Sequence, residues 1–330
     1  MPTQYDVVAI GNAIMDILAP VDEDFIRAHD MERNSMNLID ADRALTLHRA
    51  AEDTGELKEI AGGSGVNTLV GIAEMGLRTG LIAKVADDRT GRALRDGFAR
   101  AGVDYQTPPS TSGTPSARSM IFVTPDGSRT MNTFLGASVE FDGTDVRDAM
   151  IRNADTLYLE GYLFDGDAAK AAFVHAAEVA RAAGRTVALS LSDPFCVGRH
   201  KASFQQLVEH QCDIVFANEE ELLALTETDS VDAALDMVEG NGVVFCVTRG
   251  ERGSVISDGT RRHHVRAAPV ERVVDTTGAG DQYAAGVLAG RAMGLDWADA
   301  GFLGSLAAAE VIQHYGARPE TPVHELALNL

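Results

Sequence analysis

Cysteine is scarce: Cys196, Cys212 and Cys246 are the only three in 330 residues. Their odd number and the lack of a CxxC pair exclude a disulfide framework, fit a reducing interior, and read as core residues. No stretch of 18 apolar residues is present, so no membrane partner is expected. The opening Tyr5-Asp6-Val7-Val8-Ala9-Ile10 lacks the basic and long apolar regions of a signal peptide, which gives the expectation of a cytoplasmic protein. Positive charge is also short, with 28 Lys and Arg against 49 Asp and Glu, a formal charge of −21. A surface that acidic argues against a nucleic-acid partner. The nine histidines never fall in HxxxH or HExxH spacing, which argues against a zinc site. There is no GxxxxGK[ST] and no Gly-Lys dipeptide, so a P-loop nucleotide site is disfavoured.

What is present is ordinary globular composition, 45% hydrophobic and 23% charged. Apolar strands at 5–10, 81–85, 156–159, 186–191, 214–217 and 243–248 alternate with helical patterns at 66–75, 91–101, 168–183, 218–225 and 231–239. That rhythm, with Gly closing several helices, predicts an α/β fold with a mostly parallel sheet covered on both faces. Two segments break it. Residues 12–40 show no clean crossover. Residues 117–123 and 129–135 flank Pro125-Asp126-Gly127-Ser128 and read as a β-hairpin. No composition shift divides the chain, so residues 1–330 are expected to form one domain, with lid elements near 12–40 and 112–137 inserted in it.

The most informative run is Val273-Val274-Asp275-Thr276-Thr277-Gly278-Ala279-Gly280-Asp281-Gln282-Tyr283-Ala284-Ala285-Gly286. An apolar pair enters a Gly-rich turn and then an Ala-rich helix. Free N–H groups of Gly278, Ala279, Gly280 and Asp281 at that helix start would form an anion site. A carboxylate inside an anion cradle repels a resting phosphate. Asp281 makes sense there as a base that takes a proton from a hydroxyl attacking phosphorus. The competing reading is a helix cap. A second Gly-rich run, Ala61-Gly62-Gly63-Ser64-Gly65-Val66-Asn67-Thr68, allows close backbone approach at Gly62 and Gly63 and offers a donor and an acceptor at Asn67. A capped helix start accounts for it equally well. A dinucleotide fingerprint is disfavoured, because the third Gly is missing and Glu56–Ile60 is a poor strand.

Together these runs resemble the two signatures of the ribokinase-like (PfkB-type) carbohydrate and nucleoside kinase family, and the resemblance extends along nearly the whole chain. It implies a three-layer α/β sandwich with a small β lid. It implies ATP-dependent phosphorylation of an alcohol, with Asp281 as base and Gly278, Ala279 and Gly280 stabilising the transferring group. The substrate hydroxyls would be held by Asn12, Asp16, Gly62, Gly63, Ser64 and Asn67. The nucleotide side would comprise Asn218, Glu221, Thr248, Gly250 and the hairpin's Arg129. Glu221 would hold Mg²⁺ through water. Asp275, Thr277 and the region of Gly316 match positions that bind a monovalent cation, so K⁺ is a candidate cofactor.

Within the family the chain looks most like bacterial adenosine kinases, through Gly11-Asn12-Ala13-Ile14-Met15-Asp16, Met36-Asn37-Leu38, Ser190–Phe195 and the Phe122–Ala137 hairpin. The expected reaction is adenosine to AMP, with inosine-guanosine, ribose and fructose as other acceptors. Met36, Leu38, Met131, Phe134 and Phe164 are candidate walls for a base, though residues of these types more often belong to the core. The expected partner is the small-molecule nucleoside or sugar, bound by a monomer or homodimer. Two other classes compete: a ligand-binding protein without catalysis, which has no need of Asp281, and a nicotinamide-dependent dehydrogenase, for which Gly11-Asn12-Ala13-Ile14 lacks the required GxGxxG.

Overall fold

The computed structural model describes residues 3–55 and 57–323, apart from the side chain of Asp165. Its strands are β1 (Tyr5–Ile10), β2 (Ile14–Pro20), β3 (Met36–Leu38), β4 (Lys58–Gly62), β5 (Thr79–Ile82), β6 (Val103–Tyr105), β7 (Arg118–Val123), β8 (Arg129–Phe134), β9 (Ala154–Glu160), β10 (Thr186–Ser190), β11 (Ile214–Asn218), β12 (Val244–Thr248), β13 (Ser254–Ser257) and β14 (Arg262–Val265). Nine of them form one sheet in the order β14-β13-β12-β11-β10-β9-β1-β5-β6. It is parallel from β12 to β6, and β13 and β14 add an antiparallel edge. The α/β expectation is met.

Strand periodicity produces the layers. Val8, Ile10, Val187, Leu189, Val215 and Ala217 point into one apolar cluster with the helices Asp167–Ala182, Pro194–Gln211 and Glu219–Thr226. Val7, Ala9, Ala188, Ile214 and Phe216 point into the other, with the helices Ser64–Glu74, Arg89–Arg100, Ala279–Ala292 and Trp297–Val311. The sheet is thus buried on both faces, as near-continuous apolar strands require.

β1 is where the winding reverses: β5 and β6 extend to one side of it, β9 to β12 to the other. The carboxyl ends of the strands beside such a reversal are the usual ligand position in an open α/β sheet.

The remaining strands form a second sheet in the order β3-β8-β7-β2-β4. The hairpin β7–β8 turns at Gly127, whose φ of +84° suits glycine. Residues 12–40, unreadable as a crossover, supply β2, a short helix Glu23–Ala28 and β3. The stretch read as a poor strand is corrected: Lys58–Gly62 is a strand, paired antiparallel with β2, while Glu56 lies outside the described residues. Lys58 and Glu59 are exposed on this edge strand, and charge on an edge discourages further pairing while masking the strand pattern. Among the described residues no helix is long and apolar enough to cross a membrane. All three cysteines are buried.

Candidate active site

Two helix starts meet near the carboxyl end of β9. The helix Ser64–Glu74 packs against the helix Ala279–Ala292 because Gly71 has no side chain: a Cβ there would meet Gln282 and lie 2.9 Å from the Ala285 Cβ. Gln282 Nε2 binds the pair by donating to the carbonyls of Asn67 (3.0 Å) and Ala317 (3.1 Å). The consequence is a contact between residues far apart in sequence. Ser64 Oγ donates to Asp281 Oδ1 at 2.6 Å, and Asn67 Nδ2 donates to Asp281 Oδ2 at 3.0 Å. Asp281 therefore does not cap its own helix, whose N-cap, Gly278, has no side-chain bond. Burial raises the Asp281 carboxyl to about 6, and the bonds from Ser64 and Asn67 pull in the opposite direction.

The four-amide cradle is corrected at one position. The Ala279 N–H donates to the Thr276 carbonyl at 3.2 Å, closing the turn that starts the helix. The amides of Gly278, Gly280 and Asp281 have no acceptor among the described residues, which leaves three donors beside the Asp281 carboxylate.

A second group sits at the ends of β1 and β9. Asn12 Nδ2 donates to Glu160 Oε1 at 2.7 Å, and the Gly65 N–H donates to Glu160 Oε2 at 2.7 Å. Glu160 is wholly buried, and that burial raises its carboxyl to about 7. Sequence reasoning passed over Glu160, the last residue of β9. The available signal was indirect: both Gly11 and Gly65 are packed so closely on this carboxylate that a Cβ would press into it. Asp16, on β2, is raised to about 7 by burial, against the pull of Arg318 and Arg129 and with a further push from Asp281. The two expected carboxylates therefore share one region. Gly62 lies against Asp16, where a Cβ would strike Oδ2, and Gly63, at φ +115°, packs on the Asn12 carbonyl. Arg318, also unread in the sequence, donates to the Ala61 carbonyl.

On the far side of β9 the ends of β11 and β12 bring up Asn218, Glu221 and Thr248. Asn218 and Glu221 form a reciprocal capping box: the Glu221 N–H donates to Asn218 Oδ1 (2.8 Å), and the Asn218 N–H donates to Glu221 Oε2 (3.0 Å). Glu221 is raised to about 7 by burial, with Asp193, Glu220 and Asp281 adding like charge. Gly250 opens the turn after β12 at φ +59°, and Arg252 pairs with Glu219. Among the described residues no three His, Cys, Asp or Glu side chains are grouped to ligate a metal directly. An excess of buried negative charge at Glu221 instead suits a cation that keeps its water.

The expected monovalent-cation residues are also together, but not as a cation cage. Thr277 donates to Asp275 Oδ1 through its N–H (3.0 Å) and hydroxyl (2.7 Å). Gly316 presents its N–H, not a carbonyl, to Asp275 Oδ2 at 2.9 Å. Arg129 Nη2 lies 2.6 Å from Asp275 Oδ2, and its Nη1 donates to Thr277 Oγ1 at 3.0 Å. These residues do not fit an inorganic cation, because Asp275 already accepts three hydrogen bonds and faces the Arg129 guanidinium.

Of the candidate walls for a base, Phe164 takes the core reading: it is buried against Phe173 and Phe204. Met36 and Leu38 are half exposed on β3, and Met131 and Phe134 are partly buried on β8. A depression bounded by Lys84, Ser110, Glu140 and Arg147 includes none of the residues above.

Comparison with known proteins identifies the family. Residues 5–323 match the profile described as pfkB family carbohydrate kinase. The solved structure of adenosine kinase from Sinorhizobium meliloti is 44% identical, with 99% of each chain covered and a TM-score of 0.89. A probable sugar kinase from Rhizobium etli CFN 42 is 42% identical, with 99% of this chain and 98% of that chain covered and a TM-score of 0.89. A 5-dehydro-2-deoxygluconokinase from Geobacillus thermodenitrificans is 28% identical, covering 84% of this chain and 85% of that protein.

Proposed function

The chain belongs to the pfkB family of carbohydrate kinases and is an ATP-dependent phosphotransferase acting on a hydroxyl group; on that premise we propose that it phosphorylates the 5′-hydroxyl of a nucleoside, adenosine first. The observation that carries the chemistry is the Asp281 carboxylate, held by Ser64 and Asn67 beside three open amides. The observation that favours adenosine is the 44% identity with the Sinorhizobium meliloti adenosine kinase over 99% of the chain.

In this mechanism Asn12, Asp16, Gly62, Gly63 and Asn67 hold the acceptor's hydroxyls, with Glu160 fixing Asn12 and Gly65 from behind. Ser64 and Asn67 aim Asp281. Asp281 takes the proton of the attacking hydroxyl, whose oxygen bonds to the terminal phosphorus of ATP as the bond to ADP breaks. The amides of Gly278, Gly280 and Asp281 stabilise the charge on the transferring group. Ala279 holds the turn closed. Thr248, Gly250 and Asn218 line the nucleotide side. Glu221 would hold Mg²⁺ through water, and that ion would supply neutralisation of phosphate charge. The small sheet serves as a lid that excludes water.

A second reading has its own support. The Rhizobium etli and Geobacillus relatives carry sugar-kinase names, which favours a sugar or keto-sugar-acid acceptor. An ADP-release assay with adenosine, inosine, guanosine, ribose, fructose and 5-dehydro-2-deoxygluconate tests both. Adenosine should give the highest kcat/KM. A sugar that exceeds it by ten-fold or more, about 1.4 kcal/mol in transition-state binding, replaces the nucleoside reading.

A further inference from the structure

Asp275 opens the loop that leads to Asp281, and its carboxylate accepts three hydrogen bonds. Oδ1 accepts from the Thr277 N–H and hydroxyl, and Oδ2 from the Gly316 N–H, with the Arg129 guanidinium beside it. Arg129 reaches this loop from β8 of the small sheet, 146 positions earlier in the chain. Both side chains are almost fully enclosed, at 10% and 6% exposed. The guanidinium also lies over the Tyr315 ring, 5.6 Å from its centre. Asp16 is the other acid that feels its charge.

A buried carboxylate needs a counter-charge, and here it is covalently tethered. An inorganic cation at the same place would meet a carboxylate already paired with a guanidinium, whose charge has the cation's own sign.

We propose that Arg129 is a positioning residue, the built-in counter-ion of the Asp275–Asp281 loop, and that it makes phosphoryl transfer by this protein independent of K⁺. The carboxylate that would otherwise require a free monovalent ion is neutralised from the small sheet. Order in the loop is thereby coupled to docking of that sheet.

The inference rests on the phosphotransfer reading for its activity arm only. The test compares the full chain with Arg129→Ala and Arg129→Lys in KCl, NaCl and choline chloride at equal ionic strength. Turnover and melting temperature are both recorded. The unaltered protein should turn over equally, within two-fold, in all three salts, and its melting temperature should not distinguish K⁺ from Na⁺. Arg129→Ala should lose about ten- to a hundred-fold in kcat, the equivalent of one charge-assisted contact. K⁺ should restore part of that loss and raise its melting temperature, with Na⁺ less effective. Arg129→Lys keeps the charge and should stay insensitive to K⁺. Strong K⁺ dependence of the unaltered protein, in turnover or melting, overturns the proposal, and so does an Arg129→Ala protein equally impaired in every salt. If no acceptor yields ADP in any salt, the kinase reading fails, while the melting comparison still decides the counter-ion question. Should Arg129→Ala not fold, K⁺-independent turnover in Arg129→Lys supports the proposal, and a new K⁺ requirement there overturns it.

Discussion

Ser64 Oγ and Asp281 Oδ1 are 2.6 Å apart, although 217 positions separate them in the chain. The hydroxyl starts one helix and the carboxylate stands in the first turn of another. The bond joins the two Gly-rich runs into one site and gives Asp281 a fixed direction.

Asp281→Asn should retain the contact to Ser64 and lose the ability to accept a proton. Turnover should fall about 10²- to 10⁴-fold, while KM changes little. Steady-state kinetics with the preferred acceptor check this, and near-normal kcat would remove Asp281 from the role of base.

Gly62→Ala and Gly63→Ala should fail in different ways. At Gly62 the added methyl meets the carboxylate end of the Asp16 side chain, which is displaced, and KM rises about ten- to a hundred-fold. At Gly63 the obstacle is the Asn12 carbonyl and the backbone is at φ +115°, so stability falls by about 1–3 kcal/mol. Urea titration alongside KM measurement separates the two.

Gly71→Val should wedge the Ser64–Glu74 and Ala279–Ala292 helices apart at Gln282 and Ala285. Overpacking of this kind costs about 1–3 kcal/mol. Because Ser64, Asn67 and Asp281 ride on these helices, kcat should fall more than stability explains. A fully folded variant with unchanged kcat would show that the helix spacing does not set the site.

The pH response has two parts with a definite sign. Asp281 works as a base only when ionised, so kcat/KM should fall as pH drops through about 6. Stability should run the other way. Burial holds Asp16, Glu160 and Glu221 at about 7 in the folded chain and Asp281 at about 6, all above their unfolded values. The folded state therefore binds more protons between these limits, and its stability falls as pH rises toward 8. Melting temperatures at pH 5.5 and pH 8 should differ in favour of acid, and Glu160→Gln should reduce the difference. Asp16, Glu160 and Glu221 each feel the charge of Asp281, so their titrations are linked through it.

Much of the fold was legible because burial on both faces leaves parallel strands as continuous apolar runs, and 5–10, 156–159, 186–191 and 214–217 all read correctly. β4 did not, since Lys58 and Glu59 lie on an exposed edge where pairing, not burial, makes the strand.

What the sequence determined by itself was local: strand and helix periods, the turn at Gly127, and two Gly-rich helix starts, one carrying Asp281. Those follow from side-chain spacing and backbone freedom within a few residues. Only the tertiary structure decided that Asp281 faces Ser64 and Asn67 instead of capping its helix. It likewise gave Glu160 its place behind Asn12 and paired Arg129 with Asp275. Each of these depends on where two distant segments are packed, and no local pattern encodes that separation.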